Sequence, residues 1–516
     1  MVAAATQYVT HLSRKAQTLT QLKSNIVFNF LGAAWLGILT LAVTPIQVYF
    51  LGVEAFGFVG LITILQVLLG SLDLGIAATV TKVVSSDHSR QRSESAGALN
   101  TASTVYWGIA LLISVLLWTN SSRIAAFWLS NTSLDYATVM LGIQIIAVYL
   151  GLRWPVAFYS GVISGLQRMD VLNVVKASVH SLRLVGGVVV LFFLPNLLAF
   201  LVWFAISSAI ELLVYAIVTY RMLPTLRLWP YFSPASFKDI WRYSLAMNLI
   251  ALTALVLSQA DRLAVTKLLS LEYLGYYSIA YNASIVISLV QSAINNASFP
   301  AFSHSSSSGQ HAELLSRYNK ASQLMVFVVG LPCFALIFFG HEVLSVWINA
   351  KVADEAALTM AWLALGFFFN AVVSNAYMAA VACGQPNLPL KVNLFALVIY
   401  APVLYWLTRL YDISGAAAAY AGLNAYYIFS LVPLVQYRVI GQGFGVWLRE
   451  NLLPFALVGI GAFGGAKTLS LMMQPGWRTL VLLALGVAAY TVAAWYLLSV
   501  SLRIDVTDSL KRVISR

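Results

Sequence analysis

Residues 26–80 read IVFNFLGAAWLGILTLAVTPIQVYFLGVEAFGFVGLITILQVLLGSLDLGIAATV. Two apolar runs, Ile26 to Phe50 and Ala55 to Val80, are joined by little more than Leu51-Gly-Val-Glu54. A helix needs about 20 apolar residues to cross the hydrocarbon core of a bilayer, and each run supplies them. Backbone polar groups at membrane depth must be satisfied within the segment or in a closed barrel, so apolar runs this long mean helices.

The pattern recurs along all 516 residues. After those two segments come Thr101 to Trp118, Ala137 to Gly165, Val171 to Leu194 and Leu197 to Tyr220. The next six are Ile240 to Thr266, Leu274 to Phe299, Ala321 to Gly340, Ala356 to Cys383, Leu388 to Leu410 and Gly415 to Tyr437, followed by Asn451 to Leu471 and Trp477 to Val500. The expected architecture is therefore an all-α polytopic membrane protein with fourteen segments. Composition agrees: hydrophobic residues are 60% and charged residues 9%, with a mean hydropathy of +0.84. A soluble protein carries roughly a quarter charged residues. Thirty Lys and Arg with 18 Asp and Glu are too few to coat a water-facing surface of a 56.3 kDa chain, which excludes a soluble enzyme.

A net charge of +12 would suit nucleic acid only if Lys and Arg clustered on a wet face, and here they sit singly between apolar runs. They report topology instead. With the N-terminus in the cytoplasm, 21 of the thirty fall on the cytoplasmic side, six on the opposite side, and Arg153, Arg183 and Arg262 within segments. Both termini are then cytoplasmic. The first two dozen residues lack an apolar core before a cleavage site, so targeting is expected to rest with segment 1.

An internal repeat organises the segments. At an offset of 218, Leu51-Gly-Val-Glu54-Ala-Phe-Gly57 falls on Leu269-Ser-Leu-Glu272-Tyr-Leu-Gly275, matching Leu, Glu and Gly. Segment 8 carries a stripe, Tyr277, Tyr281, Ser284, Ser288, Gln291 and Asn295, and the same offset relates its last five residues to Thr63, Gln66, Gly70, Asp73 and Ala77 in segment 2. Six segments per repeat gives two lobes of the same orientation with a cleft between them. The expected parts are a cytoplasmic stretch 1–24, an N-lobe 25–220, a linker 221–239, a C-lobe 240–438, two further segments in 439–500 and a tail 501–516.

An ionised side chain at mid-bilayer costs at least about 2.5 kcal/mol, so each one is a functional candidate. They are Asp73, Arg153, Arg183, Glu211, Asp261 and Arg262. Lys176, His180 and Arg183 lie at i, i+4 and i+7 of segment 5 with Asn173 one turn earlier, a cationic stripe descending into the membrane. Two readings stand: the stripe faces a cavity, or Lys176 snorkels while Arg183 pairs with Glu211 as a buried brace. Arg153 beside Trp154 either lines the cavity or stacks on rings. Arg262 is directed to the cleft and Asp261, about 100° away on the helix, to a neighbouring helix. Asp73 has a capping role or a substrate or proton role. Gly441-Gln-Gly443-Phe-Gly445 has no strand before it and reads as a loop, and His304, His311 and His341 lack metal-site partners. Cys333 and Cys383 lie in apolar segments. No catalytic constellation, cofactor or metal is expected.

Several motifs together carry a family resemblance. Leu51 to Gly57, Leu72-Asp73-Leu-Gly75, Ser164-Gly165-Leu-Gln167, Ser258-Gln-Ala-Asp261-Arg262 and Glu272-Tyr-Leu-Gly-Tyr-Tyr277 resemble the polysaccharide transporter (Wzx-like) flippases of the multidrug/oligosaccharidyl-lipid/polysaccharide exporter superfamily, over segments 1 to 12. The resemblance implies that segments 1, 2, 7 and 8 line a central cavity. It further implies that undecaprenyl-diphosphate-linked oligosaccharide crosses a bacterial inner membrane by alternating access, with lipid and polysaccharide polymerase or assembly proteins as partners. Such a substrate needs guanidinium groups for the pyrophosphate, for which Arg153, Arg183 and Arg262 are the candidates. The glycan needs neutral polar groups, here Gln66, Tyr281, Ser284, Gln291 and Asn295 with Asp73. The drug-exporting branch uses carboxylates for cation or proton exchange, and Asp261 and Asp73 keep that alternative open.

Overall fold

The computed structural model describes residues 2–71, 76–85, 92–128, 132–224, 231–234, 237, 253, 255–473 and 477–514. Among them no strand occurs. Asp73 lies outside the described residues. By packing, the chain forms two units, one of residues 1–51 with 65–252 and the other of 52–64 with 253–516.

The first unit contains most of α1 (Val2–Ser71) with α2 (Ile76–Ser85), α3 (Arg92–Thr119), α4 (Ser121–Trp128), α5 (Tyr136–Arg153), α6 (Val156–Gly165), α7 (Met169–Phe193) and α8 (Leu197–Met222). Its buried core gathers Ile76, Tyr106, Phe158, Tyr159, Val162, Ile163 and Tyr215, with α5 and α7 packed on α8 and α2 on α6. Segment 4 is broken where Pro155 follows Trp154, because proline has no N–H to continue the helical ladder. The break sets Arg153 in the last turn of α5, where free carbonyls and the helix dipole favour a cation.

The second unit comprises residues 52–64, α9 (255–268), α10 (Leu271–Ser284), α11 (Val286–Ser307), α12 (His311–Trp347), α13 (Ala350–Ala382), α14 (Asn387–Val435), α15 (Phe444–Trp447), α16 (Leu453–Leu471), α17 (Trp477–Leu497) and α18 (Val500–Ile514). Its centre is α13, which touches α10, α11, α12 and α14. Ala353, Ala356, Ala364, Ala371, Ala376, Ala379 and Ala380 are fully buried along it, and small residues let membrane helices approach closely. Segments 13 and 14, as α16 and α17, pack on α12, where Tyr490 donates to the carbonyl oxygens of Val326 and Phe327.

Ten described helices are long and apolar enough to cross a membrane, or eleven when the bent pair α10 and α11 counts as one crossing. This count merges neighbouring segments. Segments 1 and 2 run together in α1, broken at Gly52 (φ 78°), a conformation open to a residue without Cβ. Segments 11 and 12 run together in α14, broken at Tyr411 and Asp412. Segment 7 lies mostly outside the described residues, and only its second half appears as α9.

The repeat has a physical counterpart inside the second unit. A Cβ on Gly57 would lie 2.1 Å from the Leu271 carbonyl oxygen, and one on Gly275 would lie 2.1 Å from the Val53 carbonyl oxygen. Both members of each pair are repeat equivalents, so the contact is reciprocal. A Cβ on Gly60 would meet Ser278 Oγ, its own repeat equivalent, at 2.2 Å.

Candidate functional site

Among the described residues, each unit contains a polar cavity. The first, about 600 Å³, is lined by α5, α6, α7 and α8 together with Gln66, Leu69 and Gly70 of α1. Arg153, Lys176, His180, Asn173, Trp154 and Glu211 provide its polar wall. Arg153 Nη1 donates to the Tyr149 hydroxyl at 3.1 Å, and that hydroxyl donates to Gln66 Oε1 at 2.6 Å. Arg153 also lies 3.7 Å from Glu211, with its side chain about one quarter exposed.

Glu211 is chiefly the partner of Arg183. Arg183 Nη2 sits 2.5 Å from Glu211 Oε2, while Nε donates to Ser207 at 2.9 Å and Nη2 to Ser208 at 3.1 Å. Its guanidinium lies over the rings of Tyr149 and Phe204, its side chain is 2% exposed, and it does not line the cavity. Arg183 is thus paired with Glu211, while His180 and Lys176, one and two turns away on the same helix, line the cavity. One carboxylate thus orders two guanidiniums and leaves a positive excess on the wall. Two further donors on that wall, Trp154 Nε1 and Asn173 Nδ2, are buried without a partner. Unpartnered buried donors beside cations make a wall that an anion completes.

The second cavity, about 260 Å³, lies among α9, α11, α13 and α14. Gln291 and Asn295 line it, joined by Ser258, Asn370, Ser374, Asn393 and Asn424. Gln291 Nε2 donates to Asn370 Oδ1 at 3.0 Å, Asn370 Nδ2 to Asn424 Oδ1 at 2.8 Å, and Ser374 Oγ to Asn295 Oδ1 at 3.0 Å. The segment 8 stripe does not stay on one face, because the helix bends by 40° between α10 and α11. On the α10 side Tyr277 donates to Asp261, Arg262 lies 3.8 Å over the Tyr281 ring, and Ser284 Oγ returns to the Ala280 carbonyl. Asp261 is fully buried and Arg262 5% exposed, and neither lines either cavity.

Asn370 and Asn424 escape a search limited to charged groups, although each is an amide within an apolar run and could be found that way. Tyr149 is likewise silent until folding sets it between Gln66 and Arg153. Among the described residues no His, Cys, Asp and Glu cluster could hold a metal ion.

The chain matches the family described as polysaccharide biosynthesis protein over residues 22–306, more than half its length, and the family MatE over residues 247–406. A protein of Shigella flexneri named "Putative O-antigen transporter" is 22% identical over 400 residues, which is 77% of this chain and 93% of that one. Among solved structures, lipid II flippase MurJ in an inward closed conformation gives a TM-score of 0.74 at 13% identity, covering 91% of this chain and 98% of that one. The multidrug transporter DinF-BH, a MATE protein, gives 0.57 at 16% identity, with 82% and 96% covered. These last two likenesses concern the fold. The chain is a multi-pass membrane protein and belongs to the polysaccharide biosynthesis protein family.

Proposed function

We propose that this chain is a flippase for undecaprenyl-diphosphate-linked oligosaccharide, carrying it from the inner to the outer leaflet of a bacterial cytoplasmic membrane by alternating access, with both chain termini in the cytoplasm. The observation that carries the reading is the first cavity. It lies among membrane helices, is lined by Arg153, Lys176 and His180, and holds two unpartnered N–H donors. A diphosphate is the part of such a substrate that needs cations most, since its charge must leave water with it. Arg153 is its main ligand in this reading, ordered by Tyr149 and Glu211. Arg183 acts through Glu211 and holds that carboxylate in place. The MurJ fold and the O-antigen transporter relative support the same class of cargo.

A cation-coupled antiporter needs a carboxylate that substrate or ion can reach. Asp261 has an uncommitted Oδ1 but is fully buried behind Tyr277, which favours the flippase. The test is genetic. Deleting the gene in its own cell should cause lipid-linked glycan to accumulate in the inner leaflet, and an Arg153→Gln copy should fail to clear it although it reaches the membrane. Clearance by Arg153→Gln at the normal rate, or loss of clearance only with Asp261→Asn, would contradict the reading.

A further inference from the structure

The second cavity is rich in hydrogen-bonding groups, yet none of its lining side chains is Lys, Arg, His, Asp or Glu. Its amides are ordered in a ladder. Gln291 donates to Asn370, Asn370 to Asn424, and Asn424 to the Tyr420 carbonyl oxygen at 2.9 Å. Gln291, Asn370 and Asn424 are thereby each held in one orientation, with Gln291 Oε1 and Asn295 Nδ2 outside the ladder as an acceptor and a donor on the same wall. Hydroxyl and acetamido groups both donate and accept, so they complement such a wall. The rings of Tyr377, Tyr420 and Tyr427 add flat apolar surface with polar tips, suited to the C–H face of a pyranose.

An ionised carboxylate would lose its water here without gaining a cation, and burying an unpaired charge is costly. Arg262 does not line this wall: it lies against Tyr281, whose ring meets Phe367 and through it Tyr420, beside Asp261 of opposite charge. Resting on the reading that the chain handles a carrier-linked glycan, we infer that this cavity is a sugar subsite that takes an uncharged pyranose, a hexose or N-acetylhexosamine, and discriminates against one bearing a carboxylate. The discrimination comes from Asn370 and Asn424, which segments 10 and 12 bring to the residues of segment 8.

The test uses full-length protein in lipid nanodiscs and saturation-transfer NMR with methyl N-acetyl-β-glucosaminide and methyl β-glucuronide. The neutral sugar should bind at least about tenfold more tightly, a factor worth 1.4 kcal/mol. Both Asn370→Leu and Gln291→Leu should weaken the neutral sugar, with thermal unfolding recorded to show that the variants fold. Equal or tighter binding of the glucuronide, no binding of either sugar, or neutral-sugar binding untouched by both substitutions would overturn the inference. The comparison of two sugars on unmodified protein does not depend on any variant folding. Farnesyl diphosphate, titrated against wild type and Arg153→Gln, reports separately on the first cavity. Its failure to bind would remove the flippase reading while leaving the sugar preference standing or fallen on its own result.

Discussion

The two cavities solve the problem of polar groups in a membrane protein in opposite ways. In the first unit, charge is gathered around one carboxylate, with Arg183 buried against Glu211 and Arg153 held loosely at the cavity wall. In the second, neutral amides satisfy one another in a ladder, and the charged pair Asp261 and Arg262 is turned onto Tyr277 and Tyr281 instead. A charge in low dielectric must be paired or neutralised, whereas an amide needs only a hydrogen bond, so the first arrangement is fragile and the second tolerant. The lesson is that an intramembrane Arg can be a brace or a ligand, and what separates the two is how much of its hydrogen-bonding capacity is already committed.

The largest expected effect follows from that distinction. Arg183→Ala leaves the buried Glu211 with only the more distant Arg153, 3.7 Å away, and should destabilise the protein by about 3–5 kcal/mol, seen as loss of membrane abundance and a lower unfolding temperature. Arg183→Gln combined with Glu211→Gln should recover abundance, because the buried pair is neutralised together while Arg153, at the cavity wall, keeps its bond to the Tyr149 hydroxyl. Normal abundance of Arg183→Ala with loss of diphosphate binding would make Arg183 a ligand and erase the contrast. A second, smaller effect concerns how the second unit packs without charge. Gly57→Ala and Gly275→Ala each force a Cβ onto a backbone carbonyl oxygen and should each cost about 1–3 kcal/mol. Thermal unfolding should show the two losses to be similar, and a loss at only one position would break the reciprocity of the repeat.

Much of the architecture was legible because segment length is written directly in apolar runs, and the Leu51 to Gly57 joint announced both a break and a repeat. The bend between α10 and α11 was not, since neither Pro nor Gly stands at Ile285, and it divides the segment 8 stripe into a half that meets Asp261 and Arg262 through Tyr277 and Tyr281 and a half that lines the cavity. Pro155 was visible, yet its consequence, Arg153 at a helix end facing donors on α7, exists only after packing. Charged residues stand out in an apolar sequence, as Arg153, Arg183 and Glu211 do. Their roles were not readable, because Arg183 and Arg153 differ only in which partners tertiary structure brings to them.

The smallest stability effect belongs to the amide ladder. Replacing Gln291 and Asn295 by Leu removes interhelical hydrogen bonds worth typically about 0.6 kcal/mol each, so the double variant should fold and insert normally. It should nonetheless move less glycan-bearing lipid than wild type in cells, scored by recovery of surface polysaccharide. Wild-type recovery would reduce this wall to ordinary helix packing.

The most direct measurement is transbilayer movement of a polyprenyl-diphosphate sugar in proteoliposomes holding equal amounts of wild-type or Arg153→Gln protein. Wild type should move the lipid between leaflets, and Arg153→Gln should slow it at least about tenfold, with Arg153→Lys in between because it keeps the charge but loses the bidentate geometry. Equal rates for wild type and Arg153→Gln would contradict the account, since the first cavity would then hold no group on which the diphosphate depends.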